Sequence, residues 1–527
     1  MKKIFFSASL LLCLVTQSSF AQYETYPAIF GRQTMYGGTA RYTAISGAAT
    51  ALGADLGAAS VNPAGLGMYR KSEFSFSPIF GFSGSNTSFL NEDMRDKKGS
   101  FSIGNLGIAI CGAKSDLDKS DWRGGTFSFG VTRTNSFHNR ISFSGTDPNS
   151  SITDNFVEQA NGTPENTLLS ENPNDPNGSG IVDLAGLAYW SYLINSVAPG
   201  TNSTQYTNYK TTEIFKKDAT YTTKGAQYQW NIAYGANYKD KLYLGGVLGI
   251  NTINFREDLT YTETVDDSYT ANGTDMFNNM TFDDYNRIKG TGVNLKLGYI
   301  YKVVDAWRIG TTITTPTYYW MNQQYNSDVT AVYPPYLVAD DSITPLGTQS
   351  QSTNTGYFKF NYTTPLKLAI GTSVFLGKMG FISGDIEYVP YQLSDLSGRN
   401  SSDDKYLRPY NKIITNTYKN IVNFRLGAEL RFNIVSVRLG SAYLPNPYNY
   451  SDHVNRDMAQ FSGGLGIRLQ DVYFDLGVVN TRYASSYQPY TLSNTYDQYT
   501  GQKIVPPTAV SKNSLTNVVL TMGFYFE

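Results

Sequence analysis

The chain has 527 residues, 41% of them hydrophobic, 14% aromatic and only 16% charged, a balance that excludes a disordered chain and is unusual for a water-soluble enzyme. With 2 histidines and 2 cysteines, zinc clusters, disulfide frameworks and paired axial haem ligands have almost no residues to be made from. A formal net charge of -1 is too balanced to suggest a nucleic-acid partner.

In chain order, Met1, Lys2 and Lys3 form a basic start, Ile4 to Val15 an apolar core, and Ser19-Phe20-Ala21 a small-x-small cleavage site, so residues 1–21 read as a secretory signal peptide. Cys13 lies inside that core and is not a lipoprotein site, which leaves Cys111 as the one cysteine of the exported chain. Removing Lys2 and Lys3 leaves 40 basic residues against 43 acidic. Residues 22–70 follow, rich in small side chains: Gly37-Gly38, Gly47-Ala48-Ala49, Gly53-Ala54, Gly57-Ala58-Ala59 and Asn62-Pro63-Ala64-Gly65.

From residue 71 onward no stretch approaches the roughly 18–20 apolar residues of a membrane helix, which leaves a closed β-barrel as the only way to span a bilayer. Alternation supports one. Phe74, Phe76, Pro78, Phe80 and Phe82 interleave with small residues; Tyr228, Trp230, Ile232 and Tyr234 alternate with Gln229, Asn231 and Ala233; Val422, Phe424, Leu426, Leu430 and Phe432 alternate with Asn423, Arg425, Glu429 and Arg431. A soluble sandwich would show the same period in any one strand, so the connections have to decide. Short turns are expected at 114–121, Lys239-Asp240, Val304-Asp305, Gly377-Lys378, Asn433-Ile434 and Gln470-Asp471. Polar stretches at about 84–99, 146–225, 264–282, 321–354, 391–417, 446–457 and 486–511 read as long connections. Six short and seven long connections in strict alternation join 14 strands, provided Gly124 to Gly145 is one strand, with both ends on the periplasmic side. The last run, Val518, Leu520, Met522, Phe524 and Phe526, suits a closing strand, although Glu527 replaces the usual terminal aromatic.

The predicted fold is therefore an all-β, 14-stranded antiparallel transmembrane β-barrel over residues 71–527, with a large outer-loop insertion at 146–225. A barrel this wide is not filled by its own side chains, so residues 22–70 are read as an ordered plug inside the lumen; a flexible periplasmic leader is the alternative.

Gly47 to Asp55 (GAATALGAD), Asn62-Pro63-Ala64 ahead of the first strand and Gly104-Asn105-Leu106-Gly107 in the second resemble the FadL/TodX family of outer-membrane transporters of hydrophobic compounds. The resemblance runs over essentially the whole exported chain. It implies an N-terminal hatch, here including Asn62, Pro63, Ala64 and Gly65, a ligand captured among outer loops, and release sideways through a gap beside a kinked third strand. The Asn-Pro-Ala element also occurs in related barrels that serve protein secretion.

Two features of the residues bear on that gap. In the second strand Phe101 and Ile103 hold odd positions but Leu106, Ile108 and Ile110 even ones, a change of parity at Gly104-Asn105 that requires a bulge. In the third, Thr132, Arg133, Thr134, Asn135 and Ser136 offer no apolar face: either the wall opens there or the strand has already left the bilayer. Gly104, Asn105, Arg133 and Asn135 are thus the candidate lateral-opening residues. For capture, Ile181 to Val197 carries Leu184, Leu187, Trp190 and Ile194 at helical spacing, a greasy helix that must be covered by neighbouring loops or by a ligand.

Strand charges of both signs, among them Lys296, Arg308, Lys367, Asp385, Glu387, Arg425, Glu429, Arg431, Arg438, Arg468 and Asp475, are read as paired structural groups inside the barrel, with one arginine as an outside candidate for a ligand carboxylate. His138 and His453, the latter beside Asp452, make no catalytic constellation, and no enzyme, metal or cofactor is expected. The expected partners are the lipid bilayer and a hydrophobic small molecule, taken up passively across the outer membrane. The alternatives are a scaffold or shuttle barrel that binds an outer-membrane protein partner through its loops, and an open porin.

Overall fold

The computed structural model describes residues 25–527 except 116, 177, 209–213, 266–276, 335–345, 450–451, 494 and 496–502. The expected signal peptide lies outside the described residues. Residues 72–526 form one closed antiparallel barrel of 14 strands. These are β1 (Ser72–Phe89), β2 (Glu92–Ala113), β3 (Trp122–Ser136, continued by Asn139–Asp147), β4 (Phe215–Tyr238), β5 (Leu242–Val265), β6 (Asn279–Val304) and β7 (Trp307–Thr314, continued by Tyr318–Val332). The second half comprises β8 (Thr348–Ser352, Gly356–Thr363 and Lys367–Phe375), β9 (Gly380–Pro390, continued by Asp395–Gly398), β10 (Asn420–Phe432), β11 (Val435–Leu444), β12 (Met458–Arg468), β13 (Val472–Tyr487) and β14 (Ala509–Phe526). Closure is made by β14 against β1, from Ser72↔Phe526 to Ser88↔Val510, so the main ladder runs round without a free first or last edge.

Neighbouring residues of β11 show why this is a membrane barrel and not a sandwich: Arg438 is 1% exposed and Leu439 is 66% exposed. The charged face is inside and the greasy face outside, the reverse of a soluble fold, and the pattern repeats at Leu297, Leu426 and Phe461. Aromatic side chains such as Trp122, Trp307, Phe432 and Phe524 fringe the turn end of this band.

All six expected short turns are present between consecutive strands. The polar stretch at 84–99 is corrected: it is strand, not loop. β1 and β2 stay paired to Phe89↔Glu92 and turn on Leu90-Asn91, both at positive φ. The apolar face disappears there because the hairpin has risen above the bilayer, not because pairing has ended. β4, β5 and β6, at 24, 24 and 26 residues, likewise exceed the roughly 9–11 residues a tilted strand needs to cross. The stretch read as one strand from Gly124 to Gly145 is interrupted at Phe137-His138, but both parts pair with β4, so it counts once round the barrel.

Residues 25–70 run among the inward faces of the wall. They contain α1 (Tyr26–Phe30), α2 (Ala40–Ala44), α3 (Ala58–Val61) and a 3-10 turn (Pro63–Met68). Their anchors lie on strands all round the circumference. Ala40 N–H donates to Thr521 Oγ1 on β14 (2.7 Å), Ser46 Oγ meets Ser462 Oγ on β12 (2.7 Å), and Asn62 Nδ2 donates to the Tyr299 carbonyl on β6 (3.2 Å). Asp385 on β9 accepts three hydrogen bonds at 2.8–2.9 Å, from the Ala49 and Thr50 N–H groups and the Thr50 hydroxyl. The wall makes room with glycine. Gly235, Gly245 and Gly298 stand in register across β4, β5 and β6, and a Cβ on Gly245 would fall 2.3 Å from the Pro63 carbonyl carbon. Gly310, Gly440 and Gly477 play the same part beneath Thr50, Ile45 and Ala40.

The outer loops are structured. Helices α4 (Ile152–Ala160), α5 (Glu165–Leu169) and α6 (Leu184–Trp190) bury Ile152, Phe156, Leu168 and Leu187 against the projecting strand ends, including Phe89, Phe215, Tyr261 and Phe282. A longer helix, α7 (Ser401–Thr417), joins β9 to β10.

Candidate functional site

The wall breaks between β2 and β3. Their ladder runs from Ala113↔Gly124 to Asn105↔Thr132 and stops, although both strands continue. Each strand has an irregularity at that level. Register between β1 and β2 steps from Ser77↔Asn105 to Pro78↔Ile103, leaving Gly104 as the extra residue, and register between β3 and β4 steps from Arg133↔Tyr228 to Asn135↔Gln227, leaving Thr134. A bulge bends its strand and raises its local twist, so bulges on both sides of one ladder splay the strands apart. Pro78, which has no N–H, faces this point. The parity change at Gly104-Asn105 is thus the bulge the sequence required.

Arg133 bridges the two strands where the ladder stops. Its Nη1 donates to Ser102 Oγ on β2, its Nη2 to Ser136 Oγ at 3.1 Å and its Nε to the Asn135 carbonyl at 3.3 Å. Asn135 turns inward to the N-terminal segment: its Oδ1 accepts from Thr34 Oγ1 (2.6 Å), and its Nδ2 donates to the Ile29 and Arg32 carbonyls (both 3.1 Å). Behind Gly104 lie Gly37 and Gly38, both with φ near +70°; a Cβ on Gly38 would stand 2.2 Å from the Gly104 carbonyl oxygen. Asn105 Nδ2 donates to Thr132 Oγ1 (3.0 Å) and to the Gly37 carbonyl (3.4 Å). The four candidate opening residues therefore come together, two on each side of the break, and three of them are tied to the N-terminal segment or its cover.

Phe137, just past the polar run of β3, leads from the break into an apolar cluster within the lumen. Phe30 of α1 sits among Phe137, Phe255 and Tyr362 at ring separations of 5.8, 5.5 and 6.4 Å, and Tyr26 stacks on Phe360 at 5.8 Å. Ile253, Ile288 and Met321 complete the walls, and Leu407, Tyr410 and Ile414 of α7 close the top. Sequence reasoning missed α7 and this cluster. Leu407, Tyr410 and Ile414 do recur at helical spacing after an Asn400 cap, but Pro409 within the run argues against a helix.

Asn62, Pro63, Ala64 and Gly65 lie buried on the glycine pad of β4–β6, where Asn62 Oδ1 caps the Ala64 N–H (3.1 Å) and Asn62 Nδ2 donates to the Thr50 carbonyl (2.6 Å). Leu184, Leu187 and Ile194 are buried in the loop core, and half-buried Trp190 donates Nε1–H to the Leu168 carbonyl (2.8 Å); the helix is covered by its neighbouring loops and ends at Trp190, short of Val197. The strand charges pair as expected for most members: Glu429 joins Arg41, Arg431 and Arg438, Asp475 joins Arg438 and Arg468, and Glu387 joins Arg425. No group of three metal-ligating side chains occurs among the described residues.

A closed barrel, greasy outside, with its N-terminal segment anchored across the lumen and one broken ladder defines an outer-membrane β-barrel. Among solved structures the chain is similar to a FadL homologue of Pseudomonas aeruginosa, at 10% identity and a TM-score of 0.52, covering 93% of this chain and 98% of that one. It is also similar to a deltaS2 mutant of the TodX monoaromatic hydrocarbon channel, at 12% identity and a TM-score of 0.50, covering 93% and 99%. The likeness is one of fold. No protein-family model matches the sequence, and no curated protein matches it.

Proposed function

We propose that this protein carries hydrophobic small molecules, aliphatic or aromatic, across the outer membrane, and that cargo leaves sideways into the bilayer between β2 and β3. The supporting observation is a broken ladder beside an aromatic cluster that reaches it through Phe137, which follows the polar run of β3, and that is filled by Phe30 and Tyr26. An apolar cargo has no reason to cross an aqueous pore: it gains by moving from an apolar pocket straight into hydrocarbon. In this reading α1 occupies the cargo's place at rest, α7 roofs the pocket on the outer side, and the N-terminal segment is a hatch. Deeper in the lumen, a polar cavity of about 60 Å³ lined by Gln229, Asn294 and Lys296 suits water better than cargo. The fold is shared with a FadL homologue and a TodX monoaromatic hydrocarbon channel, which supports a hydrophobic cargo.

The test is organic extraction of the detergent-purified protein followed by mass spectrometry, together with uptake by cells that produce it. Bound fatty or aromatic compounds are expected, and deletion of Gly104, which removes the β2 bulge, should bring uptake down to background. An empty barrel with a large steady conductance in planar bilayers overturns the reading in favour of a porin.

A further inference from the structure

At the periplasmic end of the lumen, below the N-terminal segment, lies a second cavity of about 450 Å³. Its lining is rich in arginine, and the ion pairs around it leave one guanidinium over. Arg41 and Arg431 share Glu429, Arg468 pairs with Asp475 at 3.3 Å, and Arg70 pairs with Asp240 at 2.6 Å. Arg308 on β7 has no carboxylate among the described residues. Its Nη1 points at the Met68 thioether (3.2 Å), a weak acceptor, and its buried Nε has no hydrogen-bond partner. The charged side chain that acts on it is Arg431, a second cation. Arg468 Nη1, in the same lining, is also unpartnered.

A half-buried cation facing another cation, with donors unused, lacks its anion. Phe375 fixes the orientation of the group, with the Arg308 guanidinium carbon 4.2 Å from the ring centroid. A guanidinium held flat presents a fork of N–H donors that matches the paired oxygens of a carboxylate or a phosphate. We propose that this vestibule is a binding site for a small soluble oxyanion, a carboxylate or a phosphate, seated between Arg308 and Arg431. The anion competes with Met68 for Arg308 Nη1, so its binding releases one contact between the wall and the last turn of the N-terminal segment. The site stands independently of the cargo: it uses neither the β2–β3 opening nor the aromatic cluster.

The test is calorimetric titration of the full-length, detergent-purified protein with inorganic phosphate and, separately, with succinate. Saturable binding of at least one is expected, weakened at least about tenfold in Arg308→Gln and less in Arg308→Lys, because a bond between charged partners is worth about 1.5–3 kcal/mol. Arg95→Gln, on the outer hairpin, should bind like the parent. If Arg308→Gln does not fold, as judged by heat-modifiable migration, Arg431→Gln decides in its place, since that side chain is partly exposed and spares the Met68 contact. Absence of saturable binding by both anions, or binding undiminished in the folded variant, overturns the proposal.

Discussion

Glu429 shows how much of the interior depends on single side chains. It accepts from Arg41 Nε of the N-terminal segment (3.2 Å), Arg431 Nε (2.7 Å) and Arg438 Nε (2.6 Å), and is 1% exposed. Neutralising it leaves Arg431 without a carboxylate among the described residues and three crowded guanidinium groups with only Asp475, on Arg438 at 2.6 Å, and Asp55, 4.0 Å from Arg41, to offset them, and breaking a buried pair costs about 3–5 kcal/mol. Glu429→Gln is therefore expected to lower the temperature at which the barrel loses its folded migration in detergent gels by far more than Asp240→Asn, which removes two surface pairs, with Arg70 and Arg123, each worth about 0–1 kcal/mol. A similar loss in both variants would show that the network is not what holds the segment. The wall glycines predict an effect of another kind. Gly245→Ala puts a methyl group where Pro63 now lies, an overpacking cost of about 1–3 kcal/mol, and should expose the N-terminal segment to protease while leaving the outer loops protected.

Among the elements, α6 and α7 show why some of the site was legible and some was not. The spacing of Leu184, Leu187 and Ile194 announced a helix that needed covering, but one sequence does not tell a covering loop from a covering ligand; the loop core supplies the cover. In α7 the signal was present and Pro409 hid it. Strand ends above the bilayer were illegible for a different reason: once outside hydrocarbon a strand keeps its backbone pairing and loses its apolar face, so periodicity reports the membrane and not the strand. The start of α6 also carries a pH dependence. Glu171 Oε2 accepts from the Val182 N–H (3.1 Å) and lies against Gly186, where a Cβ would come within 1.9 Å of it; burial, opposed by that hydrogen bond and reinforced by Asp183, raises its carboxyl to about 7. Because the folded value is raised above the ordinary 4.5, the folded loop binds the proton more tightly than the unfolded one. Its stability thus falls as pH rises from about 4.5 to 7 and is level above that. The protection factors of the α6 amides, that is their exchange rates relative to the base-catalysed rates of an unfolded chain at the same pH, should fall across this window in the parent and stay flat in Glu171→Gln, whose amide oxygen keeps the Val182 bond. A parent profile that is flat from pH 5 to 8 would refute the assignment.

For the whole molecule, alternation of short and long connections was enough to count the strands, and a parity change of one residue was enough to place a bulge. What holds the N-terminal segment was beyond reading, because a glycine facing Pro63 and a glycine in a turn look alike until register brings Gly235, Gly245 and Gly298 side by side. Register also makes a test of movement available. Ser46 on the segment and Ser462 on β12 place their hydroxyl oxygens 2.7 Å apart, so cysteines at these positions would bring their sulfurs together for oxidative cross-linking, which a gel-shift on oxidation checks. Cys111 on β2 is a free thiol, so the pair is made in a Cys111→Ser background. If transport requires the segment to leave the wall, Ser46→Cys/Ser462→Cys should take up apolar cargo only in the presence of reductant, with each single variant indifferent to it. If the segment is a fixed plug and cargo passes above it through the opening held by Arg133 and Asn135, uptake is the same oxidised and reduced. Arg133→Ala should then raise uptake in the locked and unlocked barrel alike, because its guanidinium bridges to Ser102 where the ladder stops, without involving the segment, and the bonds that join β2 to β3 beyond that point, between Asp96 and Ser142 and between Lys98 and Asn139, lie further along the strands.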